Sequence, residues 1–320
     1  MQHMHVLQMH KLRRFGPLRR APDHNSAVEG PPICTVRSPV AYIGLDMHRD
    51  FGENIAMVRE RQHLLTKEEI SEFSEIGWIS KKVLFHPDEI DKMRVCFDDL
   101  ERMAANLDAT GLCEGSHFVL GNLADEPVIK RVVWAGGSQP YLLEVGEDPR
   151  LTQPCAQLLG SNEMEQLLSQ AHFKRPGDGV IFGWHQDIQH RDKGGGTWTD
   201  INGSGSYVQS LIVIDEMTPD SGPLQFIPGS STWGRVDFGH HDYDNPDYQS
   251  NKPPQFHEED SITITAAPGD TLFFGPYTAH ASFENTSDSY RRVLINGYAY
   301  PGANSRIYPG SNAGRTVSVS

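Results

Sequence analysis

The chain has 320 residues, with 42 acidic against 28 basic side chains and a formal net charge of −14, which argues against a surface built to neutralise nucleic-acid phosphates. Its four cysteines (Cys34, Cys96, Cys113 and Cys155) form no CxxC pair, which excludes a zinc ribbon or thioredoxin-type motif and fits reduced thiols in a cytoplasmic protein. No apolar run approaches the ~20 residues that cross a bilayer and no apolar secretory segment opens the chain, so no membrane partner is expected.

With 30 Gly, 21 Pro and 38% apolar residues, the composition favours a loop-rich, mostly β protein. Residues 1–64 carry no sustained periodicity and read as an irregular or disordered extension, with one short strand at "AYIGLDM". The opening is basic and free of acids up to Asp23. It resembles an organelle transit peptide in charge and departs from one in its poverty of serine.

Folded structure is expected from "LTKEEISEFSEIGW". Thr66 and Glu69 form a capping-box pair, Ile70, Phe73 and Ile76 share a helical face, and Gly77 ends the helix. "WISKKVLF" reads as a strand. "HPDEIDKMRVCFDDLERMAANL" reads as a helix with Pro87 at its start and Ile90, Met93, Phe97, Leu100 and Met103 on one stripe. A helix around "RLTQPCAQLLG" and a strand in "EQLLSQAHFKRPGDG" follow.

From Gly179 the pattern changes to short strands rich in Val, Ile, Thr and aromatics, broken by Pro-Gly or Ser-Gly pairs: "SYVQSLIVID", "GPLQFIPGSS", "SITITAAPGDTLFFGPYTAHASF" and "YRRVLINGYAY". Helices first and strands later predict a jelly roll with helices packed on one sheet, a single domain over 65–310 followed by a tail at 311–320.

The candidate chemistry begins in "GVIFGWHQDIQH". In an extended strand His185 and Asp187 leave on the same face, which supplies two thirds of the 2-His-1-carboxylate set that holds non-haem Fe(II). Such a pair arises easily by chance among 15 histidines and 42 acids, so a third ligand is required. His280 supplies it, because a jelly roll brings early and late strands together. Arg291, eleven residues further on, offers a guanidinium suited to a carboxylate, and a dicarboxylate co-substrate is its natural occupant. Arg292 lies on the opposite strand face and is the alternative anchor. Ser282 shares the strand face of His280.

These motifs, with "WHQD", "SGPLQFIPGSSTWG", "PGDTLFFGPYTAHAS" and the following "NTSDSYRR", resemble the phytanoyl-CoA dioxygenase family of Fe(II)/2-oxoglutarate-dependent oxygenases over residues 65–301. The resemblance implies a double-stranded β-helix (cupin-like jelly roll) in which His185, Asp187 and His280 bind iron and Arg291 grips 2-oxoglutarate. It further implies polar co-substrate contacts from Gln170 and Lys174, and O2-dependent oxidation of a small molecule, most simply hydroxylation, coupled to decarboxylation of 2-oxoglutarate to succinate. Related halogenases replace the carboxylate ligand with a small residue, whereas Asp187 is present here. After "PGS" the family often has His where this chain has Ser231.

Other ligand-type residues are read as bystanders. His240, His241, Asp242 and Asp244 fall in a long polar loop that suits a lid rather than a second metal site. The glycine run in "HRDKGGGTWTDINGSG" lacks the context of a phosphate loop and reads as a flexible segment beside the iron, with Trp198 lining the substrate pocket. His190 has the wrong parity for the ligand face and reads as a surface residue. Two alternatives stay open: a cupin-like metalloenzyme that does not use 2-oxoglutarate, which would have no need of Arg291, and a non-catalytic jelly-roll binding protein. Variable loops near 190–206 and 235–260 are expected to set specificity. Substrate identity and oligomeric state are not readable.

Overall fold

The capping box at Thr66 forms as expected. The Thr66 side chain accepts from the Glu69 backbone and the Glu69 side chain accepts from the Thr66 backbone, which starts helix α1 (Lys67–Ile76). Gly77 ends it at φ +100°, a conformation that favours glycine, and an added Cβ there would sit 2.7 Å from Thr278 Oγ1. The computed structural model describes residues 63–123, 126–191, 195–239 and 251–319. All of them fall in one compact unit, Cys34–Ser320. The expected strand at "AYIGLDM", the N-terminal extension to residue 62 and the "GHHDYD" histidines and acids lie outside the described residues.

Strand β1 (Trp78–Lys81) follows α1, and helix α2 (Pro87–Ala104) begins at the predicted proline. β1 is shorter than the alternation suggested, because Val83 takes a left-handed φ of +50°. Asp270 pins that turn by accepting from the Val83 backbone at 2.9 Å and the Lys82 side chain at 2.8 Å.

Three strands that the sequence did not announce come next: β2 (Gly111–Cys113), β3 (Ser116–Leu123) and β4 (Glu126–Val132). Helices α3 (Pro140–Val145) and α4 (Pro149–Leu159) lead into β5 (Glu163–His172). The remaining strands are β6 (Phe182–His185), β7 (Tyr207–Val213), β8 (Leu224–Phe226), β9 (Ile262–Thr263), β10 (Thr271–Phe274), β11 (His280–Ser282), β12 (Val293–Ala299) and β13 (Arg315–Ser318).

Two antiparallel sheets result. The larger runs β1-β10-β7-β12-β5-β4-β3-β2 and the smaller β6-β11-β8-β9, the two-sheet jelly roll that the sequence predicted. The expected tail at 311–320 needs correction. Residues 315–318 form β13, which pairs with β5 beside β4; Val317 is buried and Arg315 donates to Gln166 Oε1 at 2.7 Å.

The larger sheet has two distinct faces. Toward the helices, Met93, Phe97 and Leu100 of α2 and Leu151, Cys155 and Leu159 of α4 pack with Ile212, Leu294 and Tyr298 in the main core. Met93 is a core residue, and Met103 packs against that core. Cys96, Cys113 and Cys155 are buried. Toward the smaller sheet, Leu211, Val213, Phe226, Leu272, Phe274 and Ile295 form a second cluster, with Trp78 stacked on Phe226 at 4.8 Å. The space between the sheets opens beyond this cluster into a cavity of about 1150 Å³. Among the described residues, no helix is long and apolar enough to cross a membrane.

Candidate active site

The site is built on the pairing of β6 with β11, which sets His185 directly across from His280. The two imidazoles are oriented in the same way. His185 Nδ1 lies 2.7 Å from the carbonyl of Gly183, and His280 Nδ1 lies 2.8 Å from the carbonyl of Thr278, in each case two residues upstream. A carbonyl only accepts, so each Nδ1 carries the proton and each Nε2 keeps its lone pair.

Asp187 completes the group. The strand ends at His185, and Asp187 opens a short 3-10 turn over Asp187–His190, so local turn geometry places the carboxylate where strand parity was expected to. His185 Nε2 is 4.0 Å from Asp187 Oδ1, and His280 Nε2 is 4.0 Å from Asp187 Oδ2. The three ligand atoms lie within 4.8 Å of one another. Between them Gln186 holds the turn down by donating to the carbonyls of Tyr277 (2.6 Å) and Gly234 (2.9 Å) and accepting from the Val236 backbone.

Two neutral imidazole nitrogens and one carboxylate, gathered at the wall of a cavity, are a donor set that fits a non-haem Fe(II) ion with open positions. Each imidazole already has the outer-shell acceptor that metal-binding histidines require. The residues present therefore fit iron.

Arg291 lies in the same cavity wall, just before β12, and is 2% exposed. Its Nε donates to the Gly222 carbonyl at 3.0 Å, and one terminal nitrogen contacts both that carbonyl and Ser282 Oγ. Gly222 has φ +70°, and a Cβ there would fall 2.5 Å from the Phe283 carbonyl, so glycine is needed where this backbone approaches. No carboxylate among the described residues pairs with Arg291. Burial presses its pKa down to about 10, opposed only by the more distant charge of Asp178; the guanidinium remains charged at neutral pH. A buried cation without a counter-ion is costly, and a ligand carboxylate would relieve it.

A model of the family described as phytanoyl-CoA dioxygenase (PhyH) matches residues 73–293. The chain belongs to this family. An L-proline trans-4-hydroxylase of Streptomyces griseoviridis is 29% identical over 170 residues, covering 46% of this chain and 58% of the relative. The chain spans about half the length of the curated relatives it matches. Among solved structures, EctD from S. alaskensis with 2-oxoglutarate and 5-hydroxyectoine is 21% identical with a TM-score of 0.56, covering 80% of this chain and 83% of EctD. The epimerase SnoN, in complex with Fe3+, alpha ketoglutarate and nogalamycin RO, is 16% identical with a TM-score of 0.55, covering 81% of this chain and 96% of SnoN. At these identities the structural likeness is one of fold.

Within this PhyH-family fold the two adjacent arginines separate cleanly. Arg292 faces the helices, where its backbone and guanidinium donate to Asp215 (Nε at 2.7 Å) and Nη1 donates to Asp98 at 2.6 Å. Burial alone would lower its pKa, and these two acids raise it. Arg291 is the one that faces the cavity. Ser282 and Gln170 line the same wall, and Ser282 Oγ also donates to the Gly222 carbonyl at 3.0 Å. Gln170 Oε1 is 2.7 Å from His172 Nε2, and the His172 ring stacks on Phe182 at 4.9 Å.

Three expectations are corrected. Lys174 does not line the cavity. Its fully buried ammonium donates to the carbonyls of Ser282 (2.9 Å) and Phe283 behind the wall, and burial, with Arg291 adding to it, drives its pKa well down. Trp198 is likewise absent from the wall: its indole donates to the Gly205 carbonyl at 3.0 Å and its ring packs edge-on against Tyr207. His190 is in the wall instead of at the outer surface, because the 3-10 turn folds it back to 5.3 Å from the His185 ring.

Sequence reasoning missed the groups that support Asp187. Gln209 of β7 donates to Asp187 Oδ2 and accepts from the Tyr207 hydroxyl at 3.2 Å. Arg191 donates to the Asp187 carbonyl at 3.3 Å and to the Tyr308 hydroxyl at 3.1 Å, with its guanidinium over the Tyr207 ring. One signal was available. Gln209 shares strand parity with Leu211 and Val213 in "YVQSLIV", so it is a glutamine on an inward face.

Proposed function

We propose that the protein is an Fe(II)- and 2-oxoglutarate-dependent oxygenase that hydroxylates a small molecule. The carrying observation is a single cavity that holds both His185, Asp187 and His280 within 4.8 Å of one another and a buried Arg291 with no protein counter-ion. His185, Asp187 and His280 would hold the iron. Arg291, with Ser282, would grip the distal carboxylate of 2-oxoglutarate, and Gln170 would contribute a further polar contact. When bound, iron and 2-oxoglutarate supply the oxidising chemistry: O2 is consumed, 2-oxoglutarate loses CO2 to become succinate, and one oxygen atom enters a substrate C–H bond.

The protein's own part is positional. The Gly183 and Thr278 carbonyls fix the tautomers of the two histidines, so both ligand nitrogens face Asp187. Gln209 holds one carboxylate oxygen. Gly222 and Ser282 aim the Arg291 fork and leave part of it to be satisfied by a ligand. Residues near 235–239 and Asn251 border the cavity and would contribute to substrate selection. The related hydroxylase acting on L-proline, by its name, supports a small-molecule substrate.

Anaerobic titration with Fe(II) and 2-oxoglutarate, followed by visible absorption, tests the reading. A weak band that needs both additions, vanishes in His185→Ala and requires far more 2-oxoglutarate in Arg291→Ala is expected. No band in folded, iron-loaded wild type would leave the cupin or binding-protein alternatives.

A further inference from the structure

The cavity wall contributed by β3, β4 and β5 carries a cation that the reading above does not use. Arg131, on β4, is half-buried and stands opposite His172 of β5 in the sheet register. Its Nε is shut off from solvent without a hydrogen-bond partner, and the guanidinium makes no salt bridge among the described residues. The guanidinium lies over the Phe182 ring at 5.9 Å from its centre. Buried donors are nearly always paired in folded proteins, so an orphaned one in a cavity wall points to a ligand.

The surroundings favour an anion with an apolar body. Val119 of β3, which stands opposite Arg131, Val133 just after β4 and Leu168 of β5 line the same cavity, together with His117. Neither neighbouring histidine is placed to hold further positive charge beside Arg131. Burial and then Arg131 lower the pKa of His117, and burial, Arg131, Arg291 and Lys174 together push that of His172 far down. Asp178, whose charge acts on Arg291 and Lys174, already accepts from the backbones of Arg175 and Val180. Of the arginines that line the cavity, Arg191 donates to the Asp187 carbonyl and the Tyr308 hydroxyl and Arg306 to the His190 carbonyl. Arg131 and Arg291 make no salt bridge among the described residues, and a 2-oxoglutarate carboxylate seated in the Arg291 fork would leave Arg131 unmet.

Position separates the two. Arg291 leads into β12 and Arg131 sits on β4, with β5 between them. At about 4.8 Å per strand the two backbones are about 10 Å apart across the sheet, so the two guanidiniums start from different strands of the wall.

We propose that Arg131 is the recognition site for the carboxylate of the substrate, which makes that substrate a small carboxylic acid whose apolar body rests on Val119, Val133 and Leu168. The assignment rests on the oxygenase reading above. It separates the cavity into a co-substrate anchor at Arg291 and a substrate anchor at Arg131.

Calorimetry on the protein loaded with Mn(II) and 2-oxoglutarate tests it. The ligands are a panel of L-α-amino acids and short aliphatic acids, each paired with its own carboxamide. At least one acid is expected to bind wild type about tenfold or more tighter than its amide. Arg131→Gln should abolish that preference while 2-oxoglutarate still titrates as in wild type, and Arg131→Lys, which keeps the charge and loses the fork, should retain a weakened preference. Should Arg131→Gln fail to fold, Arg131→Lys decides by weaker acid binding at unchanged 2-oxoglutarate affinity. Three results overturn the assignment: 2-oxoglutarate binding that weakens tenfold in either variant, which would place Arg131 in the co-substrate site; a wild type that prefers no acid over its amide; or a preference that survives Arg131→Gln. A wild type that takes up neither Mn(II) nor 2-oxoglutarate would remove the oxygenase reading itself, and the substrate assignment with it.

Discussion

Arg291 and Arg292 are neighbours in the chain and opposites in their surroundings. On the helix side of the larger sheet, Arg292 is saturated by Asp215 and Asp98, and the apolar residues around it belong to the main core. On the cavity side, Arg291 is buried against a carbonyl and a hydroxyl with no acid in contact, and Arg131 keeps an orphaned donor. The helix side is complete without a ligand. The cavity side has cations whose desolvation no protein anion offsets, so one face of the sheet carries stability and the other carries binding.

The largest effects should come from the iron ligands. Asp187→Ala or His280→Ala is predicted to abolish saturable Fe(II) or Mn(II) binding, because two donors do not make a facial site; saturable metal uptake by a folded Asp187→Ala protein would refute the assignment. The paired arginines come next. Arg291→Gln should weaken 2-oxoglutarate by about 2 kcal/mol or more, about 30-fold in Kd, with little loss of melting temperature because no ion pair is broken. Arg292→Gln should do the reverse: it leaves Asp215 with only the longer Arg94 ion pair at 3.4 Å and costs about 2 kcal/mol of stability, while the 2-oxoglutarate titration stays where it was. If both variants lost affinity equally, the division between the faces would be wrong. Gln209→Leu is expected to sit below these, with metal affinity reduced about 10- to 100-fold, as is usual when the group orienting a ligand is removed. Calorimetry with Mn(II) reads it directly.

The same division governs what could be read from the sequence. Helix-side elements were legible because both faces of their pattern are ordinary. The stripe of Ile90, Met93, Phe97 and Leu100 faces the core, and the Thr66 capping box and Pro87 mark true starts. The candidate ligands His185, Asp187 and His280 and the candidate anchor Arg291 were legible only because several ordered motifs agreed, since the His185–Asp187 pair alone arises easily by chance. The strands β2 to β4 were not, because inward positions of β3 and β4 hold His117 and Arg131 alongside Val119, and a polar cavity wall erases the alternation that marks a strand. Arg131 was lost with them. Lys174 misled because parity places it inward correctly, while only the fold shows that carbonyls from Ser282 and Phe283 take up its ammonium. His190 and Trp198 depended on turn and loop geometry that spacing does not encode.

The smallest predicted effect tests the helix side by pH. Glu89, in the first turn of α2, accepts from Arg150 at 2.6 and 2.8 Å and from the His86 backbone. The Arg150 hydrogen bonds lead in holding its pKa at about 2, against an ordinary 4.5. A carboxylate whose folded pKa is depressed contributes stability that is fully present above its unfolded pKa and is lost as pH falls through the folded one. The contribution should therefore be intact at pH 7 and fade between about 4.5 and about 2. Because the pair is partly exposed, screening limits it to about 1 kcal/mol or less. Glu89→Gln is accordingly expected to melt slightly below wild type at pH 7, with the gap narrowing as the pH is taken below 4.5, and to titrate with 2-oxoglutarate as wild type does. A gap that stays constant down to pH 3 would mean that Glu89 acts through packing rather than charge, and a change in 2-oxoglutarate affinity would mean that the two faces of the sheet are coupled.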